Sequence, residues 1–147
     1  MSRIIEPDQI SPNLPDWIRD HMKLYLESGG EEGHHWRGVP TLLLETLGRK
    51  SGKKQVLPLI YGRDGDDFVI VASKGGAPEH PAWYLNLRDE PRVRLQVGTE
   101  VFDAEARTAS EDEKARLWPE MVSIWPAYDD YRAATDRSIP VVILSRR

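Results

Sequence analysis

The stretch VPTLLLETLGRKSGKKQVLPLIY, Val39 to Tyr61, carries the strongest fold signal in the chain. Val39 to Leu47 is rich in Leu and Thr, Gly48-Arg-Lys-Ser-Gly52 supplies turn glycines, and Gln55 to Tyr61 is apolar again. This is the pattern of two strands joined by a hairpin. Pro58 has no N–H for a ladder, so the second strand is expected at a sheet edge or at a bulge. Asp64-Gly65 signals another turn, and Phe68 to Ala72 (FVIVA) is short and apolar enough for a buried strand, reached by a second hairpin.

Outward from this core, Val93 to Val97 alternates as a strand, Gly98-Thr99 turns, and Val101 to Arg107 returns. Val141 to Leu144 reads as a last strand. Residues 13 to 28 read as an amphipathic helix with Pro15 in its first turn and Ile18, Met22, Tyr25 and Leu26 on one face, ended by Gly29-Gly30. Gly29 to Gly38 is expected to be a loop. A short helix is expected from Pro81 through Trp83 to Leu87. Ser110 with Glu113 fits a capping box opening a further helix, which Pro119 should kink or restart. Antiparallel strands with helices at the start, middle and end define an α+β class built on a small barrel or sheet.

The 147 residues suit one domain, 1–147, in which 1–36 form a helix and loop that either cap a pocket or are mobile. No apolar run reaches the ~20 residues of a membrane span, and the N-terminus lacks the features of a signal peptide, so the cytoplasm is expected. The chain has 0 Cys, which excludes disulfides, thiolate metal sites and a Cys nucleophile and leaves redox chemistry to a bound cofactor. A net charge of −4 argues against nucleic acid as a partner. That average hides an island. From Thr46 to Arg63 there are five cations (Arg49, Lys50, Lys53, Lys54, Arg63) and no acid, so the remainder carries 15 basic against 24 acidic groups, or −9. The contrast points to an anionic small ligand.

The turn Gly48 to Lys54 offers cations and a hydroxyl suited to phosphate or carboxylate groups. It is not a Walker loop, because only three residues separate Gly48 from Gly52 and Lys54 stands where Ser or Thr would follow the lysine. By spacing alone, an ordinary hairpin turn with solvated lysines explains it better. Ser73-Lys74-Gly75-Gly76, after the apolar strand, could bring backbone N–H groups to an anion or ring carbonyl, or simply end the strand. Two such loops on neighbouring strands would converge if the hairpins stack. His34-His35 beside Glu31-Glu32 lacks metal-ligand spacing and reads as a polar loop, so no metal site is assigned. Trp125, Tyr128 and Tyr131 could form an aromatic wall for a flat substrate, and a packed helix face explains the same spacing. Asp129, Asp130 and Asp136 read as solvated.

The runs TLGRKSGKKQVLPLIY (46–61), VIVASKGGAPEHPAWYLNLRDEPRVRLQV (69–97) and LWPEMVSIWPAYDDYRAATDRSIPVVIL (117–144) closely resemble, in collinear order, the actinobacterial deazaflavin-dependent nitroreductase family and its quinone-reductase-like members. The resemblance implies a split β-barrel of the FMN-binding type with flanking helices. It also implies coenzyme F420 as cofactor, with hydride transfer to a planar quinone or nitroaromatic acceptor. Arg49, Lys50 and Ser51 then match the loop holding the cofactor's phosphate and oligoglutamate tail. Pro58 and Ala72, Ser73, Lys74, Gly75, Gly76 and Ala77 match the segment lining its ring and phosphate, and Trp83, Tyr84 and Asn86 a second cofactor-contacting stretch. Tyr128 and Tyr131 match substrate-pocket tyrosines and Ser73 a serine that orients or protonates the acceptor, so these three are the catalytic candidates.

Trp125 departs from the pattern. It replaces a tyrosine, removing a phenolic donor and narrowing the pocket for bulky bicyclic nitro compounds. Two alternatives stand beside this reading: an FMN oxidoreductase on the same fold, and a non-catalytic deazaflavin carrier. The oligomeric state is open between monomer and homodimer. Peripheral association with the inner membrane face is an alternative for the N-terminal helix, whose mixed charges favour packing on the barrel.

Overall fold

The computed structural model describes residues 3–147. Its strands are β1 (His35–Trp36), β2 (Val39–Leu47), β3 (Lys54–Ile60), β4 (Gly62–Asp64), β5 (Asp67–Val71), β6 (Arg92–Val97), β7 (Glu100–Thr108) and β8 (Val141–Arg146). Its helices are α1 (Asp16–Glu27), α2 (Ala82–Asp89), α3 (Glu111–Ile124) and α4 (Ala127–Ala133). All strand pairs are antiparallel, in the order β1-β2-β6-β7-β8-β5-β4, with β3 on the other side of β2. Because β3 and β4 are separated only by Tyr61, the strand beside β2 and the strand beside β5 are one length of chain, and the sheet curls on itself.

Burial follows the two-residue period of the strands. Leu42 and Leu44, Phe68 and Ile70, and Val142 and Leu144 point into the barrel core with Tyr84, Leu87 and Leu95. Their alternates point outward and are covered too: Val69, Val71, Val141 and Ile143 by Leu117, Trp118 and Met121 of α3, and Leu43 by Met22, Tyr25 and Leu26 of α1. Strands buried on both faces therefore read as unbroken apolar runs.

The hairpins fall where the sequence places them, and Pro58 sits on β3, which pairs with β2 alone, opposite Leu43. Four details differ. α1 starts at Asp16 rather than residue 13, because Pro15 is an extended cap at φ −55°, ψ 148°, and Leu14 before it is biased away from helix. The loop 29–38 contains β1, too short to show alternation; Arg37 and Gly38, both at positive φ, form the tight turn that pairs Trp36 with Val39. α3 runs through Pro119 without restarting. The carbonyl of Ala115 that proline leaves unpaired belongs to an exposed residue, while Leu117 and Met121 on either side are buried. Asp129 is not merely solvated, since it accepts a 2.8 Å hydrogen bond from Trp118 Nε1 that fastens α4 to α3.

Glycine is required at the close of α1. A Cβ on Gly30, at φ +91°, would stand 1.7 Å from the carbonyl oxygen of Gly98, so the helix end docks on the β6–β7 turn only with hydrogen at that position. Tyr25 reinforces the seam by donating to the Thr41 carbonyl at 3.0 Å and accepting from the Gly98 N–H at 2.8 Å.

Candidate functional site

β5 ends at Val71 and delivers the segment Ala72–Ala77 to the mouth of the barrel. Lys74, Gly75 and Gly76 are all left-handed, with φ of 45°, 62° and 84°. A Cβ on Gly76 would come within 2.8 Å of the Tyr131 carbonyl oxygen, so the glycine lets this loop lie directly against α4. The Lys74 ammonium is paired with Glu79 at 2.9 Å, which leaves mainly backbone and the Ser73 hydroxyl to face a ligand.

Beside this loop lies a cavity of about 340 Å³. Ser73, Lys74 and Gly75 form one wall, with Pro58 to Ile60 of β3 and Trp83 of α2. Trp125, Tyr128 and Tyr131 form another, and Trp17, Ile18, His21 and Trp36 close it from the N-terminal side. The three tryptophans make a ladder: Trp17 stacks on Trp36 at 5.6 Å between centroids, and Trp36 meets Trp125 at 5.5 Å. Tyr128 is only 5% exposed, and burial pushes its phenol well above the usual range. Among the described residues, neither the Tyr128 nor the Ser73 hydroxyl has a hydrogen-bond partner within the protein, and the Tyr131 hydroxyl accepts a 3.4 Å bond from Trp125 Nε1.

A smaller cavity of about 140 Å³ lies under the cationic turn, lined by Gly48, Arg49, Lys50, Ser51, Gln55, Ala82 and Asn86. The turn is held from inside by Gly48 N–H to the Lys53 carbonyl and Gly52 N–H to the Gly48 carbonyl, both 2.8 Å. It is held from outside by Asn86, 2% exposed, which accepts from the Arg49 N–H at 3.1 Å and donates to Thr46 Oγ1 and Gln55 Oε1 at 3.2 and 3.1 Å. Both cavities share β3 and α2: Gln55 and Asn86 border the small one, Pro58 and Trp83 the large one.

The large cavity thus gathers Pro58, Ser73, Lys74, Gly75, Trp83, Trp125, Tyr128 and Tyr131, and the small one Arg49, Lys50, Ser51 and Asn86. Ala72, Gly76, Ala77 and Tyr84 line neither. Tyr84 is packed in the barrel core with its hydroxyl 2.9 Å from Thr108 Oγ1. Of the charged island, Lys54 approaches Glu45 at 3.9 Å and Arg63 lies over Phe68, away from both cavities. Reading the sequence missed Trp17, His21 and Trp36; the i, i+4 spacing of Trp17 and His21 was the available signal for α1, while β1 gave none. His34 does not sit in a bare polar loop: its Nε2 is 2.7 Å from the Tyr61 hydroxyl. No cluster of three or more His, Asp or Glu with metal-binding geometry occurs among the described residues.

A curled antiparallel sheet with one aromatic cavity and a second cavity under a cationic glycine turn defines a split-barrel protein with room for a small ligand. Residues 17–146 match the model of the F420H(2)-dependent quinone reductase family, and the chain belongs to that family. It is 42% identical over 135 residues, 88% of this chain and 90% of the relative, to an F420H(2)-dependent quinone reductase of Mycobacterium tuberculosis. Among solved structures, an F420-H2 dependent reductase is 41% identical with TM-score 0.67, covering 72% of this chain and 94% of that one. A second, described as a domain-swapped dimer, is 40% identical with TM-score 0.70, covering 92% and 100%.

Proposed function

We propose a division of labour among these residues for the F420-dependent reduction of a quinone, the reaction that names the family. Arg49, Lys50 and Ser51 hold the phosphate and oligoglutamate tail through charge-assisted hydrogen bonds, with Asn86 fixing their turn. Pro58, Trp83 and the Ser73–Gly75 segment flank the ring. The fit is supported by the chemistry of the donors, with cations lining the small cavity and residues with unpartnered hydroxyls lining the large one. Bound reduced F420 supplies a hydride from the central carbon of its ring system.

The chain's part is to hold a planar acceptor against that ring at ~3–3.5 Å and to keep water out. Trp125, Tyr131 and Tyr128 form the acceptor wall, and the Trp17–Trp36 pair caps it from the N-terminal side. Negative charge developing on an acceptor oxygen is met by hydroxyl donors from Ser73, Tyr128 and Tyr131. Tyr128 keeps its proton throughout the physiological range, because burial raises its phenol. The single observation that carries this reading is the pair of residues with unpartnered hydroxyls, Ser73 and Tyr128, lining one aromatic cavity.

The test mixes purified protein with reduced F420 and menadione and follows deazaflavin reoxidation. A protein-dependent rate supports the proposal, and none across a panel of quinone and nitro acceptors refutes it. A homodimer is compatible with the swapped relative and is read by light scattering. No helix among the described residues is long and apolar enough to cross a membrane.

A further inference from the structure

We infer that Arg137 is a positioning residue that turns the Ser73–Ala77 loop into a backbone anion cradle, with the N–H groups of Ser73 and Lys74 as its donors. The inference rests on the functional reading above for its ligand, and on independent geometry for its construction.

Arg137 lies on the connection from α4 to β8 and does not line the aromatic cavity; it borders a separate polar cleft behind the loop. Its guanidinium is given over to this one loop. Nη1 donates to the Ala72 carbonyl at 3.1 Å, Nη2 to the Ser73 carbonyl at 2.8 Å, and Nε to the Ala77 carbonyl at 3.1 Å. Nη1 also donates to His80 Nδ1 at 3.0 Å. Among the described residues no carboxylate lies within ion-pairing distance of Arg137; Glu79, on the same loop, is taken by Lys74. A cation with three backbone carbonyls and no acid is unusual, because guanidinium is ordinarily matched to a carboxylate or phosphate.

The consequence follows from the planarity of the peptide. In a trans unit the N–H points opposite to the C=O, and among the described residues there is no cis peptide bond. Drawing the carbonyls of Ala72 and Ser73 onto Arg137 turns the N–H groups of Ser73 and Lys74 the other way, toward the cavity that Ser73, Lys74 and Gly75 line. Among the described residues neither N–H has an acceptor, although the next turn is satisfied by Gly76 N–H to the Ser73 carbonyl and Ala77 N–H to the Lys74 carbonyl. The left-handed backbone at Lys74 through Gly76 keeps the loop in this form. Two donors with a guanidinium hydrogen-bonded to the carbonyls behind them suit an anionic or carbonyl oxygen of a bound ligand. Arg137 thus acts through the loop and touches no ligand itself.

Arg137→Lys keeps the charge but gathers its donors on one nitrogen in place of the fork that reaches the three carbonyls, and Arg137→Ala removes both charge and fork. In the cofactor-free protein, the amide resonances of Ser73 and Lys74 should shift or broaden in both variants, and millimolar guanidinium should restore them in Arg137→Ala. With reduced F420 and menadione, kcat/KM should fall about 100-fold in Arg137→Ala, the scale of a misplaced catalytic geometry, and recover in part with guanidinium. Unperturbed Ser73 and Lys74 amides, or kcat/KM within about threefold of the parent, would overturn the inference. So would losses that follow thermal stability alone without guanidinium recovery. If Arg137→Ala does not fold, the amide spectrum and kcat/KM of Arg137→Lys decide. A parent protein inactive with every acceptor would refute the proposed reaction, while the cofactor-free amide spectra would still judge the cradle.

Discussion

Asn86→Leu tests whether the cationic turn is held from α2. Leucine keeps the number and branching of side-chain heavy atoms while replacing the amide by two bulkier methyls, so the change removes the amide's hydrogen bonds and adds some overpacking. It strips an acceptor from the Arg49 N–H and guanidinium, at 3.1 and 3.4 Å, and a donor from Thr46 Oγ1 and Gln55 Oε1. Arg49 and Gln55 have exposed side chains that water can serve, whereas Thr46 is buried. The loss therefore reduces to the Thr46 hydroxyl and the Arg49 N–H, at ~1–3 kcal/mol for each unsatisfied group. Against the added apolar burial, the net is about 2–4 kcal/mol, or a drop of ~6–12 °C in Tm for a chain of this size. Freed from α2, the turn should also bind F420 about tenfold more weakly, equivalent to ~1.4 kcal/mol. Urea denaturation and fluorescence titration well below Tm measure the two effects. A stability loss under ~1 kcal/mol would refute the energetic argument. Unchanged affinity in a destabilised protein would show that the internal bonds of Gly48 hold the turn without Asn86.

Gly30→Ala forces a Cβ against the Gly98 carbonyl and should cost about 3 kcal/mol, whereas Gly38→Ala, with open space but φ +80°, should cost ~1 kcal/mol; thermal melts compare them. Trp125→Ala should widen the aromatic cavity and raise the kcat/KM ratio of a bicyclic nitro compound to menadione, read by parallel kinetics. Lys50→Glu should weaken F420 binding at low salt, with the deficit shrinking as salt is raised; equal affinity at low salt would remove Lys50 from the site. Glu113, bonded to Arg107 and to the Ser110 N–H, has its carboxyl pulled down to about 2. A depressed carboxylate stabilises above its unfolded pKa and loses that contribution as pH falls through its folded value. Glu113→Gln should therefore melt below the parent at pH 7 and converge with it near pH 2.

What could be read in advance was whatever repeats along the chain. The glycine turns, the apolar runs and the Ser110–Glu113 box fix elements locally, and β2, α2 and the β6–β7 hairpin lie where they indicate. Clustered charge takes in Arg49 and Lys50, which line a cavity, and equally Arg63, which lies over Phe68, because charge along the chain does not say which cations share a face. The tryptophan ladder was hidden for a related reason. Trp17, Trp36 and Trp125 come from α1, a two-residue strand and the end of α3, and only the curl of the sheet brings them together. Arg137 sat in plain view within TDRSIP, but a guanidinium bound to carbonyls carries no complementary acid in the sequence to announce it.

β8 lies between β7 and β5, and among the described residues β8 is the only strand outside the β4–β5 hairpin that pairs with it. During synthesis β2, β3, β6 and β7 can pair as soon as they are made, but β4–β5 has no neighbouring strand until Val141–Arg146 leaves the ribosome. Until then the apolar edge of Val69, Ile70 and Val71 is a surface for chaperones or for another nascent chain. The loop carried on the end of β5 is set in the same event, because β8 and the Arg137 that holds its carbonyls both follow it in the chain.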